Sequence, residues 1–264
     1  MRNIFFALAL TLITINLFGQ VKKRNNKIVT ENIVVAHRGA WKKNVLPENS
    51  IASLKQAIAL KCAGSEFDVG MTADDSLVIN HDPTYNNLPI EKTNYTDLIA
   101  FKLSNGEKLP TLREYILAAK KKNKTTKLIC EIKPSVISTE RGKVIATKAV
   151  KLIQELKARQ RVIYISFDYE ILKQIVAIEP KASTQYLKGD ISPEQIKADG
   201  ISGLDYTISA FKKHPEWIES AKKNNVILNA WTLDKVEDMD WAIANGFDYI
   251  TTNEPELLIE KTKK

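Results

Sequence analysis

Ile33-Val34-Val35-Ala36-His37-Arg38-Gly39 and Ser65-Glu66-Phe67-Asp68-Val69 decide how this chain is read. Each is a short run of strand-forming residues, and 49–60 between them carries apolar residues at helical spacing. The same alternation continues toward the C-terminus. Further strand-like runs fall at 77–80, 127–132, 162–166, 183–187, 203–206, 226–231 and 248–251, and helical patterns at 112–121, 141–158, 169–178, 193–198, 215–223, 235–245 and 255–261. Strands alternating with helices argue for a parallel α/β fold. The 264 residues suit one TIM-type (β/α)8 barrel, which commonly takes about 250. Nine strand-like runs compete for eight barrel places, so one is spurious or lies outside the ring, and 203–206 is the weakest of them. Asn49 is expected to cap the first helix. Pro193, Pro215 and Pro255 suit first helical turns, where the amide that proline lacks would go unpaired.

The barrel is expected to be irregular around its second and third strands. Val69 and Leu77 are too close for a helical crossover, which needs a dozen or more residues. A tight turn near Asp74-Asp75 would instead make a hairpin pairing residues whose numbers sum to about 148. His81 then lies opposite Phe67, within reach of Glu66 and Asp68.

Ionisable residues end runs that are otherwise apolar: His37-Arg38 after the first, His81-Asp82 after the third, and Glu131 with Lys133 at the fourth. Glu66 and Asp68 alternate with Phe67 and Val69, so both carboxylates share one face of the strand. Taken singly, each of these has a bland explanation, such as a surface carboxylate pair or a hydrogen-bonded core histidine. Together they are costly to bury unless something binds them. Three carboxylates, Glu66, Asp68 and Glu131, make a hard oxygen donor set that suits one divalent cation, Mg²⁺ or Ca²⁺, better than Zn²⁺. His37 and His81 could divide proton removal and proton donation, as phosphodiester cleavage demands. The third histidine, His214, precedes Pro215 and is read as structural.

Met1-Arg2-Asn3 followed by the apolar stretch 4–18 reads as a secretory signal peptide over 1–19, then a flexible segment over 20–30 and a barrel domain over 31–264. The expected location is outside the cytoplasm, periplasmic or secreted, with no stable membrane anchor once the signal is removed. The run Lys120-Lys121-Lys122-Asn123-Lys124 has no interleaved aromatic residues. It is read as a solvated helix end, with no nucleic-acid partner. Cys62 and Cys130 sit among apolar neighbours and are read as buried free thiols.

In order, His37-Arg38-Gly39, Pro47-Glu48-Asn49-Ser50, Glu66-Phe67-Asp68-Val69, Val78-Ile79-Asn80-His81-Asp82 and Glu131-Ile132-Lys133 resemble the successive motifs of the glycerophosphodiester phosphodiesterase family. Pro110-Thr111-Leu112, Ile165-Ser166-Phe167-Asp168, Trp231-Thr232 and Thr252-Asn253-Glu254-Pro255 look like its later landmarks. The resemblance implies a divalent ion on Glu66, Asp68 and Glu131, and His37 and His81 as acid and base. Arg38 and Lys133 would hold phosphate, and Trp231 would pack against glycerol. The implied reaction converts a small glycerophosphodiester to sn-glycerol 3-phosphate and an alcohol, through a cyclic phosphate formed by the substrate's own 2-hydroxyl. The chain departs from the pattern after His81-Asp82, where no arginine follows, and in the short 84–108 segment, expected to cap the site. Two alternatives stand beside this reading: a phospholipid-directed phosphodiesterase of the same barrel superfamily, which would need an apolar rim, and a phosphodiester-binding protein without turnover.

Overall fold

The computed structural model describes residues 32–263; the stretch 1–19 read as a signal peptide, the 20–30 stretch and the outermost residues of the expected 31–264 domain lie outside them. Eleven strands follow in chain order among the described residues: β1 (Val34–Ala36), β2 (Gly64–Met71), β3 (Leu77–Ile79), β4 (Thr84–Tyr85), β5 (Leu88–Pro89), β6 (Lys127–Ile132), β7 (Val162–Ser166), β8 (Ser183–Tyr186), β9 (Gly203–Thr207), β10 (Ile227–Trp231) and β11 (Tyr249–Thr252). β1 pairs in parallel with both β2 and β11, which closes the ring β1-β2-β6-β7-β8-β9-β10-β11 into an eight-stranded parallel barrel. Helices follow the strands on the outside, the arrangement of a TIM barrel.

The run outside the ring is β3, and the weak candidate at 203–206 is a full barrel strand. β3 folds back on β2 as the short gap requires, pairing Val69 with Ile79, Gly70 with Val78 and Met71 with Leu77. Gly203 weakens the strand pattern yet is needed there: a Cβ would come within 2.9 Å of Gln185, Ile227 and the Ile227 carbonyl.

Alternation along the strands divides the apolar residues into two layers. Val34, Phe67, Leu128, Tyr164 and Leu228 face outward into the main core under the helices. Val35, Ile129, Ile163, Ile165 and Leu187 form a separate cluster with Phe167, Trp231 and Tyr249 inside the ring. Ser50, not Asn49, caps the helix Ile51–Ala59, its hydroxyl accepting from the Ser53 amide. Sequence spacing cannot choose between adjacent polar residues, and Asn49 has another role at the site. Pro193 and Pro255 open their helices, whereas Pro215 sits one residue before Glu216–Lys223. A further helix, Ile208–Lys213, capped by Thr207, lies between β9 and Pro215.

The 84–108 segment builds its own small core from Ile90 and Leu98 with Val78 and Leu109, against Tyr85, Leu88 and Tyr95. Glu91 ties it to the loop after β6, accepting from the Ser135 hydroxyl, the Val136 amide and Arg141 Nε. Cys62 and Cys130 are buried free thiols. Among the described residues no helix is long and apolar enough to cross a membrane.

Candidate active site

Parallel register places the acidic residues together. Asp68 on β2 is aligned with Glu131 on β6, and Glu66 lies two residues earlier on the same face. Ligand oxygens of the three lie within 4.8 Å of one another, and all three side chains are buried. Loops after β1 and β3 bring the histidines. The His37 amide donates to the Thr252 carbonyl at 3.0 Å, and the Asn80 amide to the Asp68 carbonyl at 3.1 Å. These bonds hold the two loop starts against the barrel top.

The turn His37-Arg38-Gly39 is tightly built. Gly39 has φ +82°, and a Cβ there would fall on the Ser53 side chain, so glycine alone lets this turn lie on the helix Ile51–Ala59. Arg38 itself has φ +54°, a strained value for a long side chain. That conformation aims the Arg38 amide at Glu66 Oε2, to which it donates at 2.7 Å. The Arg38 guanidinium donates to Glu48 Oε2 at 2.6 Å and lies 3.9 Å from Asp68 Oδ2. Asn49, at φ +56°, both donates to Asp68 Oδ2 through Nδ2 at 2.8 Å and accepts from the Asp68 amide at 3.1 Å. Lys133 Nζ stands 3.2 Å from Asp68 Oδ1 and 2.8 Å from Glu131 Oε1.

The electrostatics of the three carboxyls differ. Burial opposes the charge on Asp68, but Lys133, the Asn49 amide, His81 and Arg38 outweigh it and hold Asp68 below the usual carboxylate range. Burial, then the Asp68 and Glu131 charges, push Glu66 well above it. Burial and Asp68 push Glu131 up to about 7 against the pull of Lys133. Glu66 Oε1 is buried without any hydrogen-bond partner. A buried, unpaired carboxylate oxygen beside two further acids is what a divalent cation would satisfy, and the all-oxygen set fits a hard ion.

His37 Nδ1 lies 2.8 Å from Asn253 Oδ1, and its Nε2 lies 4.0 Å from Glu66 Oε2. Burial lowers the His37 pKa, against the opposing bond from Asn253. His81 is more exposed, with Nδ1 2.8 Å from Asp82 Oδ1. Both rings line a cavity of about 240 Å³ with Arg38, Glu66 and Glu131 on one wall and Ile165, Phe167, Leu187 and Trp231 on the other. Trp231 packs edge-on to Phe167 at 5.4 Å and donates from Nε1 to the Asp205 carbonyl at 2.8 Å. The cavity thus gathers His37, His81, Glu66, Glu131, Arg38 and Trp231, while Asp68 and Lys133 stand directly behind its acidic wall. The 84–108 segment supplies none of the residues lining this cavity. His214 is remote from the cavity, stacked on Trp217 at 4.2 Å.

Sequence reasoning missed Phe167 and Leu187 as cavity walls, and Glu48, Asn49 and Asn253 as partners of Arg38, Asp68 and His37. It also missed a polar layer inside the ring: Asn229 links Gln185 and Thr251, and buried Asp205 is pushed well above the carboxylate range by burial and then by Glu131. Polar letters within the strands, Gln185, Asp205 and Asn229, were the available signal.

Against this geometry, the model of the glycerophosphoryl diester phosphodiesterase family matches residues 37–257. The chain belongs to that family. Membership makes it a phosphodiester-cleaving enzyme, as the resemblance implied. A glycerophosphodiester phosphodiesterase of Caldanaerobacter subterraneus subsp. tengcongensis is 32% identical over 250 residues, covering 89% of this chain and 99% of the relative. One of Bacillus subtilis is 27% identical over 268 residues, covering 88% and 86%. Among solved structures, a glycerophosphodiester phosphodiesterase of Parabacteroides distasonis superposes with a TM-score of 0.84 at 39% identity, covering 87% of this chain and 95% of that one. A phosphodiesterase of Oleispira antarctica, solved in complex with the product sn-glycerol-3-phosphate, has a TM-score of 0.75 at 21% identity over 88% and 97%; at that identity the likeness is one of fold.

Proposed function

We propose that the cavity hydrolyses small glycerophosphodiesters to sn-glycerol 3-phosphate and an alcohol, with one Mg²⁺ or Ca²⁺ held by Glu66, Asp68 and Glu131. The observation that carries this reading is the buried, partly unpaired acidic triad beside two histidines in a single cavity. The glycerol 3-phosphate bound in the Oleispira relative supports the substrate class. When bound, the ion would supply Lewis-acid stabilisation of charge on the phosphoryl oxygens. Arg38 and Lys133 would add fixed positive charge beside the phosphate.

His37 is the proton acceptor in this scheme. Burial lowers the His37 pKa and so favours the neutral ring, in which Nε2 has a lone pair for the proton of the glycerol 2-hydroxyl. That oxygen forms a bond to phosphorus, the bond to the leaving alkoxide breaks, and His81 gives the alkoxide its proton. Water then opens the cyclic phosphate with the two histidines in reversed roles. Trp231 and Phe167 would cover the carbon face of the glycerol. Export by the 1–19 signal belongs to the same reading, with no nucleic-acid partner and no retained anchor.

Following glycerophosphocholine by phosphorus NMR tests the bond cleaved. Conversion to sn-glycerol 3-phosphate, with a cyclic phosphate in passing, is expected; phosphocholine as the product would contradict the assignment. A second reading, a phospholipid-directed enzyme, draws on exposed Val45, Val136 and Ile137, all in loops at the C-terminal ends of barrel strands. Faster turnover of lysophosphatidylcholine than of glycerophosphocholine would favour it.

A further inference from the structure

Asp234 and Asn253 lie outside the acidic triad, yet Asn253 meets the Nδ1 side of His37 and Asp234 holds Asn253 from behind. The Asp234 carboxylate accepts from Thr252 Oγ1 at 3.1 Å, from the Asn253 amide at 2.8 Å, and from Asn253 Nδ2 at 2.8 Å. The carboxylate offers only acceptors to Asn253, so the side-chain amide must turn its NH₂ toward Asp234. Its carbonyl, Oδ1, is then the atom left 2.8 Å from His37 Nδ1. A carbonyl oxygen can only accept, so the proton of a neutral His37 ring has to sit on Nδ1.

From this chain of forced donors and acceptors we infer that Asp234 and Asn253 are positioning residues that lock His37 as the Nδ1–H tautomer, with the Nε2 lone pair facing the cavity. The inference deepens the reading of His37 as proton acceptor and rests on it. Its logic is that of any catalytic base held by a third group: a neutral imidazole in the other tautomer presents a donor where an acceptor is required. The relay also reaches across the ring. Asp234 follows β10, Asn253 follows β11 and His37 follows β1, three neighbouring strands. The ring is therefore oriented by the closure of the barrel itself, and a proton gained at Nε2 leaves the Nδ1–H···Asn253 bond intact.

Histidine-selective nitrogen NMR on the full chain tests this directly, because only three histidines contribute signals. Measured at alkaline pH, where the rings are neutral, wild-type His37 should show a protonated Nδ1 and an unprotonated Nε2. Asn253→Ala should give a mixture of tautomers and lower kcat roughly tenfold to a hundredfold, with KM within about a factor of two. Asp234→Ala, which frees the Asn253 amide to rotate, should shift the same signals with a smaller loss. A purely structural role would leave the tautomer untouched. An Nε2–H ring in the wild type, or an unmoved tautomer in folded Asn253→Ala, would overturn the inference. His37→Ala separates it from the reading beneath it: full turnover in that variant sinks the proton-acceptor role, whereas lost turnover with an unmoved Asn253→Ala tautomer sinks only the relay.

Discussion

The two walls of the cavity solve opposite problems. The wall from β1, β2 and β6 brings like charges into a buried space and holds them with Arg38, Lys133 and Asn49. The wall from β7, β8 and β10 is apolar, and Ile165, Phe167, Leu187 and Trp231 continue the cluster that plugs the ring. Chemistry is concentrated on the first wall and shape on the second. Substitutions on the charged wall should therefore act on kcat and on the metal-free stability, and those on the apolar wall on KM.

The largest expected effect is His37→Ala, which should lower kcat by roughly 10²–10⁴ while the melting temperature stays put. Wild-type turnover in this variant would break the division of labour. Lys133→Met comes next. It leaves buried Glu131 without its cation and Asp68 with Arg38 alone, a loss of about 3 kcal/mol in the metal-free protein. Added Mg²⁺ or Ca²⁺ should recover part of it in a thermal melt, and equal melting with and without the ion would contradict the fit of the triad to a metal.

Phe167→Leu on the opposite wall should raise KM several-fold through about 1 kcal/mol of lost aromatic contact, with kcat nearly unchanged. A fall confined to kcat would erase the contrast between the walls. The smallest effect is Glu66→Gln measured as stability in EDTA. Burial first, then Asp68 and Glu131, raise the folded Glu66 pKa. The folded state therefore holds its proton to higher pH than the unfolded chain, and this group's contribution to stability falls as pH rises above the unfolded value near 4.5. The neutral amide removes that dependence, so at pH 8 the variant should melt about 2–4 °C higher while its activity with metal falls.

The contrast also governs what was legible in the sequence. The charged wall could be read nearly residue by residue, because Glu66 and Asp68 break an apolar alternation and the short gap to Leu77 forces the hairpin that delivers His81. On the apolar wall only Trp231 was singled out, and its neighbours in the cavity were not. Phe167 and Leu187 are unremarkable letters in apolar surroundings, and only closure of the ring turns them toward the acids. Long-range partners were hidden for a similar reason. Asn49 and Asn253 meet Asp68 and His37 across 19 and 216 residues of sequence, and local spacing gives no sign of either bond. The run at 203–206 is the weakest strand pattern in the sequence, yet the crowded ring needs the glycine at that position.

Turnover of glycerophosphocholine by the full chain before EDTA, after EDTA, and after readdition of Mg²⁺ or Ca²⁺ tests the central claim most directly. Glycerol 3-phosphate release that stops with the chelator and returns with one of the ions is the predicted result. Undiminished release after exhaustive chelation would contradict the assignment of Glu66, Asp68 and Glu131 as a metal site.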